Sequence, residues 1–191
     1  MTRTEAEQVI SRELEPGELP LWTGIPKQGL MLRPSDAMLI PFSLLWGGFA
    51  IFWEVSVLSM GAPVFFALWG VPFVVVGLYL IAGRFVVEAR QRARTAYAIT
   101  NKRAIIVSGL LSRSVKSLPL HTLAEVTLSE RSDGSGAIVL GAQPVWGHWH
   151  AGASWPGMSS QLAPTFDLIE NARTVYSQLR AAQSEASRDA G

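Results

Sequence analysis

Two histidines separated by one residue, His148 and His150, are the side chains with the clearest potential for metal chemistry. Residues two apart on a strand point to the same face, and neutral imidazole binds zinc or copper. A closed structural zinc site needs about four ligands, and the spacing of the third histidine, His121, is not typical of a known site. We therefore favour a loop that packs over the rest of the fold, with His148 and His150 as weak metal candidates, and we expect no cofactor.

Three tryptophans, Trp146, Trp149 and Trp155, lie in the same segment. Tryptophan is enriched at interaction hot spots and is also a common core residue in small β-domains. The surrounding glycine, proline and serine residues favour a loop. We therefore predict that these tryptophans form an exposed or membrane-contacting interaction surface.

Glu54 is the only charged side chain between Ala37 and Gly83. An ionisable residue inside a membrane span is a functional hypothesis by default. At ~1.5 Å per residue, Glu54 lies ~25 Å along the first apolar segment, close to the outer headgroups. Interfacial placement is therefore favoured over a proton or ion role, which stays open.

Five of the basic residues that follow the apolar region are candidates for contact with lipid headgroups: Arg90, Arg92, Arg94, Lys102 and Arg103. Each could contribute ~1 kcal/mol to binding anionic lipid headgroups. The same charges could instead serve only to fix membrane topology. Both interpretations need the same residues in the same place, and the sequence does not choose between them.

The apolar region itself is long enough for two membrane crossings, since each helix needs ~20 apolar residues. Proline and glycine between Ser59 and Pro63 predict a break, giving spans at about 37–59 and 63–82. Basic residues flank both spans, whereas the connecting turn has none. The positive-inside rule therefore predicts an integral inner-membrane protein with both termini in the cytoplasm.

The remainder of the chain predicts one small cytoplasmic domain. Short alternating segments between Tyr97 and Leu140, with a turn at Asp133–Gly136, indicate antiparallel strands. A helical apolar face from Phe166 to Leu179 predicts a closing amphipathic helix. We expect a head at 1–36, a membrane hairpin at 37–83, a small β-barrel domain closed by the helix at 84–182, and a disordered tail at 183–191.

Composition and motifs exclude several functional classes. The chain has no cysteine and a net charge of +1, which argues against thiol chemistry and against a nucleic-acid partner. No G-x-S-x-G nucleophile motif occurs, and the segment DGSG is too short for a phosphate-binding loop. We therefore assign no catalytic residue.

The segment YAITNKRAIIVSG resembles the strand-turn-strand signature of bacterial pleckstrin-homology-like (PH-like) domains. Four further segments resemble parts of small PH-domain membrane proteins, so the resemblance extends from about Glu18 to Leu179. They are GELPLWTGIP for the head, IPFSLLWGGFAIFWE for the first span, DGSG for the hairpin and FDLIENARTVY for the closing helix. It implies an α+β fold: a PH-like antiparallel barrel with a C-terminal helix, anchored by a two-helix hairpin. Lys102 and Arg103 occupy the position of the basic first hairpin turn with which some PH domains bind lipid.

Two functions from different classes follow. The favoured one is a non-enzymatic, membrane-anchored interaction module that binds lipid headgroups or an unidentified membrane or cytoplasmic protein. Its contact surface would be the tryptophan-rich loop or the groove beside the closing helix. The alternative is a metal-binding or transport-related protein using His148, His150 and Glu54. Two spans are too few for a monomeric transporter, so this alternative requires a homo-oligomer.

Overall fold

The structure of the protein is a computed structural model that describes residues 1–32, 36–110, 112–142 and 163–189. Two compact units are present. The hairpin unit comprises residues 30–88, and the sheet unit comprises residues 1–29 together with the described residues from 89 onward. Residues 143–162, which include the predicted tryptophan- and histidine-rich loop, lie outside the described residues.

The hairpin unit contains the two helices that the apolar segments predict. Helix α2 spans Asp36–Ser59 and α3 spans Val64–Leu78. Helix α3 continues through a π-helical turn, Tyr79–Gly83, into α4, Arg84–Arg92. Both α2 and the continuous helical stretch Val64–Arg92 are long and apolar enough to cross a membrane.

Glycine allows α2 and α3 to approach closely. A methyl group on Gly77 would lie 2.8 Å from the Cα atom of Gly47, which is closer than real Cβ atoms come. In a membrane, where lipid is as apolar as leucine, such close packing is a main source of helix association. Gly47 and Gly77 therefore define the line along which the two helices meet.

The sheet unit consists of two antiparallel sheets and two helices. The first sheet has the order β1-β2-β3-β4, and the second has the order β5-β6-β7. Helix α1, Arg3–Ser11, precedes β1, and helix α5, Ala172–Asp189, follows β7. The strands are β1 Pro20–Gly24, β2 Ala96–Thr100, β3 Arg103–Ser108, β4 Ser114–Pro119, β5 Val126–Glu130, β6 Gly136–Leu140 and β7 Thr165–Ile169.

Closure of the predicted barrel is not confirmed by the described residues. No strand ladder joins the two sheets in this part of the chain. Instead, one backbone hydrogen bond, from the Lys27 N–H to the Leu168 carbonyl at 2.8 Å, links the segment after β1 to β7. Leu168 has a φ of 53° and lies where the register of the β6–β7 pairing is interrupted.

The main core lies between the two sheets and α5. Phe166 is fully buried, with its ring centroid 4.9 Å from that of Tyr97 and 5.8 Å from that of Trp22. Along α5, Val175 and Leu179 are buried in the same cluster. The closing helix thus covers the core as its apolar face predicts.

Several predicted element boundaries are wrong. Phe166 and Ile169 belong to β7, not to the closing helix, because β7 pairs with β6 and the chain turns at Asn171, where φ is 51°. The segment from Leu120 to Leu128 is not one strand: a 3-10 turn, Leu120–Thr122, precedes β5. The tail that was expected to be disordered from Gln183 is instead helical up to Asp189.

A second core covers the other face of the first sheet. Ala6 and Ile10 of α1 pack with Ala98 of β2 and with Ile105 of β3. Strand β2 is consequently buried on both faces, which explains why Ala96–Thr100 is almost wholly apolar. The segment before the first span therefore contributes both a helix and the edge strand β1 to the sheet unit.

Candidate functional site: an interaction groove and the basic residues

A cavity of about 500 Å³ lies in the sheet unit, between the segment that follows β1 and the first half of α5. We refer to it as the α5 groove. It is lined mainly by side chains that can form hydrogen bonds, with an indole and a few apolar residues between them. The lining residues are Arg3, Trp22, Gly24, Ile25, Pro26, Lys27, Gln28, Glu170, Asn171, Thr174, Val175 and Gln178.

Local sequence features shape the wall that β1 contributes. The Trp22 ring folds back along the strand over Gly24, where any larger residue would overlap with the indole. The Trp22 ring also packs against Phe166 in the core. The indole is therefore held in place by packing on one side while it lines the groove on the other.

The helical wall follows from the periodicity of α5. Val175 and Leu179 face the core, whereas Thr174 and Gln178, one turn apart, are exposed and line the groove. Residues four apart on a helix lie on the same face. This places a hydroxyl and an amide side by side along one wall.

The charges in the groove are mixed. Lys27 is neutralised by Asp133, whose carboxylate lies 2.8 Å from the Lys27 ammonium. Hydrogen bonds from Lys27 and Ser135 lower the pKa of Asp133 well below its ordinary value. Arg3 and Glu170 are exposed and have no ion-pair partner among the described residues. A groove with one cation, one anion and several amides suits a polypeptide better than a highly charged ligand.

The five predicted lipid-contacting residues do not form one patch. Arg90 and Arg94 precede β2, whereas Lys102 and Arg103 follow it. A strand of this length spans roughly 17 Å, so the two groups lie at opposite ends of β2.

Two of these five residues are occupied by contacts within the sheet unit. Arg92 is buried and donates from Nη2 to the Gly29 carbonyl at 2.8 Å. Arg103 binds both carboxylate oxygens of Glu18, from Nε at 2.9 Å and from Nη2 at 2.8 Å. Arg90, Arg94 and Lys102 are exposed, and they are the members of the set that remain accessible to a ligand.

The Arg103–Glu18 pair lies in a dense hydrogen-bond network. Thr100 donates to Glu18 Oε1 at 2.7 Å and accepts from the Arg103 backbone N–H at 2.9 Å. Burial alone would raise the pKa of Glu18, but hydrogen bonds from Arg103, Glu15 and Thr100 lower this pKa to about 2. Hydrogen bonding with Glu18 in turn raises the pKa of Arg103. This network fixes the turn between β2 and β3 to the segment before β1.

Glu54 lies on α2 where that helix contacts α3. Its Oε2 atom is buried and has no hydrogen-bond partner in the described part of the chain. The carboxylate occupies space that Gly70 leaves open, since a methyl group there would overlap with it. This contact was not predicted, because the sequence does not reveal which residue of the second span faces Glu54.

The predicted histidine and tryptophan candidates are not tested by the structure. His148, His150, Trp146, Trp149 and Trp155 lie outside the described residues. Within the described residues, no group of three or more His, Asp or Glu side chains could hold a metal ion. The groove residues on α5 belong to no recognisable sequence motif. The sequence indicated them only indirectly, through the expected groove beside the closing helix.

Comparison with known proteins identifies the family of the chain. None of the curated proteins and none of the solved structures gives a match. The sequence model of the family described as "Bacterial PH domain" matches residues 44–182, from within α2 to within α5. The match thus includes part of the hairpin and all the strands after it, and on this evidence the chain belongs to the bacterial PH domain family.

Proposed function

We propose that the protein is a non-enzymatic binding module, anchored in the cytoplasmic membrane by α2 and α3, whose α5 groove binds a polypeptide segment of a partner. The observation that carries this proposal is the family match to a PH domain, a family that is generally non-enzymatic. The two long apolar helices before β2 supply the anchor. In this proposal the sheet unit, including residues 1–29, is the cytoplasmic binding domain.

The composition of the groove supports a polypeptide as the ligand. Thr174, Gln178 and Asn171 offer donors and acceptors that match the alternating N–H and C=O groups of an extended chain. The Trp22 indole provides a flat apolar surface next to them, as is common at interaction hot spots. A binding module of this kind could instead bind lipid headgroups, through the exposed residues Arg90, Arg94 and Lys102, and this is the second candidate ligand.

Site-specific photocrosslinking in intact cells tests the groove. A photoreactive amino acid is placed at Thr174 or Gln178 on the groove wall, or at Ser184, an exposed position on another face of α5. We expect a discrete crosslinked protein at the two groove positions and none at Ser184. Identical products at all three positions would show that the groove is not the contact surface.

Charge substitution provides a second test with a matched control. Thr174→Arg together with Gln178→Arg should abolish the crosslink formed from a probe at Asn171, because two guanidinium groups would fill the groove. Ser177→Arg together with Ser184→Arg adds the same charge to an exposed surface of the same helix and should leave the crosslink intact. If the control pair reduces the crosslink equally, charge rather than the groove is responsible.

A further inference from the structure

Arg84 is a buried cation in the hairpin unit that the proposed binding function does not use. It is the first residue of α4 and directly follows the apolar stretch that ends at Gly83. Its side chain is only 7% exposed, and Nη1 lies 2.9 Å from Oδ1 of Asp36, at the start of α2. The guanidinium carbon lies 4.4 Å from the centroid of the Phe85 ring. This geometry holds the side chain in one orientation.

The remaining two nitrogen positions of the Arg84 guanidinium are unsatisfied. Nε and Nη2 are both buried and have no hydrogen-bond partner among the residues that the structure describes. A buried donor without a partner costs ~1–3 kcal/mol or more when it is charged. A buried donor of this kind in a native protein requires an explanation, and a bound ligand that accepts the hydrogen bond is one such explanation.

The same guanidinium edge is occupied in other arginines of this protein. Arg103 uses Nε and Nη2 to bind the two oxygens of Glu18 at 2.9 and 2.8 Å. Arg173 uses these two atoms to bind Glu130 at 2.9 and 2.7 Å. The edge of Arg84 therefore has the shape and charge to bind an oxyanion with two parallel hydrogen bonds.

The position of Arg84 along the chain selects the oxyanion. In a hairpin that crosses the membrane, the residue that ends the apolar stretch lies at headgroup level, where phosphate groups are concentrated. Arginine forms bidentate hydrogen bonds with phosphate. Since the Asp36 carboxylate already balances the charge of Arg84, recognition would rest on hydrogen bonding to the phosphate and not on the net charge of the lipid.

We propose that the Nε–Nη2 edge of Arg84 is a binding site for the phosphate group of a membrane phospholipid. Both nitrogens are buried, so a phosphate reaches them only after a local rearrangement, and the bound lipid should exchange slowly. The proposal rests on the proposed function only in placing the hairpin in a membrane. It adds a lipid site at a residue that is not one of the five basic residues considered above.

The test uses the purified full-length protein in detergent, relipidated with defined lipids and analysed by native mass spectrometry. We expect phosphatidylglycerol and phosphatidylcholine to be retained, and digalactosyl diacylglycerol, which has no phosphate, to be retained about tenfold less. Arg84→Lys keeps a cation for Asp36 but lacks the two-nitrogen edge, and should lower phospholipid retention to the galactolipid level. Arg12→Lys, at an exposed position that belongs to none of the candidate lipid-binding residues, is the matched control and should retain phospholipid like the wild type.

Equal phospholipid retention by Arg84→Lys and the wild type would overturn the proposal. In a further experiment, inorganic phosphate is added to the wild-type protein in galactolipid. If free phosphate is then bound to the same extent as phospholipid, the edge binds a soluble anion and the proposal is overturned. If Arg84→Lys fails to fold, a variant with Arg90, Arg94 and Lys102 all replaced by glutamine decides the question. A retained preference for phospholipid over galactolipid in this variant supports the Arg84 site, and loss of the preference overturns it. Carbonate extraction of cell membranes distinguishes failure of the lipid site from failure of the proposed function. A protein that carbonate releases from the membrane is not anchored in it, and this outcome refutes the proposed anchor.

Discussion

At the scale of single residues, the neighbours Lys102 and Arg103 show what sequence can and cannot assign. Both were candidates for lipid contact because of their charge and their position in a turn. Lys102 is exposed, whereas Arg103 is held by Glu18, which lies 85 positions away in the chain. Residue type predicts the capacity of a side chain to bind, but only the fold determines whether an internal partner already occupies it.

The Glu18–Arg103 pair predicts a specific dependence of stability on pH. The pKa of Glu18 falls from 4.5 to about 2 on folding, so its contribution is fully present above pH 4.5 and is lost as the pH falls towards 2. This shift corresponds to roughly 3 kcal/mol at most. We expect the melting temperature of the wild type to fall between pH 5 and pH 3, as measured by circular dichroism in detergent.

Glu18→Gln should remove this part of the pH dependence. The variant leaves Arg103 without its carboxylate partner, so at pH 7 we expect its free energy of unfolding to be lower than that of the wild type by about 3 kcal/mol. On acidification this free energy should fall less in the variant than in the wild type. Glu185→Gln, at an exposed position of α5, is the control and should follow the wild-type curve. An unchanged acid transition in Glu18→Gln would show that other carboxylates dominate this transition.

At the scale of elements, apolar runs and periodicity predicted both hairpin helices, most of the strands and a closing helix. The errors occurred where a short apolar segment fits both periods, as at Phe166 and Ile169, which belong to β7. The role of α1 was also missed. Val9, Ile10 and Leu14 share one side of the first 16 residues and by themselves indicate only a weak amphipathic helix. Burial of Ile10 against Ile105 depends on a sheet that local pattern cannot reveal.

Helix packing in the hairpin gives a second prediction. Gly77→Ala would place a methyl group 2.8 Å from the Gly47 Cα atom, so the helices must separate and the hairpin should lose about 1–3 kcal/mol. Gly48→Ala is the matched control, because no atom lies within 4 Å of its added methyl group, and alanine favours a helix over glycine. Thermal unfolding in detergent should show a lower melting temperature for Gly77→Ala only.

At the scale of the whole molecule, strand pairing constrains membrane topology more strongly than charge does. Strand β1 precedes the two apolar helices, and β2 follows them, yet β1 and β2 pair along an antiparallel ladder that includes Thr23 opposite Ala98. Paired strands must lie in one compartment, so any membrane crossings by the chain between them must be even in number. The two spans predicted from the apolar segments and their glycine–proline turn satisfy this condition, although that prediction made no use of the strand pairing.

Cysteine labelling tests this topology directly, because the natural chain contains no cysteine. Met60→Cys places a thiol at the turn between α2 and α3, where the side chain is 80% exposed, and Ser177→Cys places one on the outer surface of α5. A membrane-impermeant maleimide added to intact spheroplasts should label Met60→Cys at once and Ser177→Cys only after lysis. The reverse pattern would place the sheet unit outside the cell. Labelling of both variants before lysis, or of neither, would mean that the hairpin does not cross the bilayer. The number of crossings would then be zero, which is also compatible with the pairing of β1 and β2.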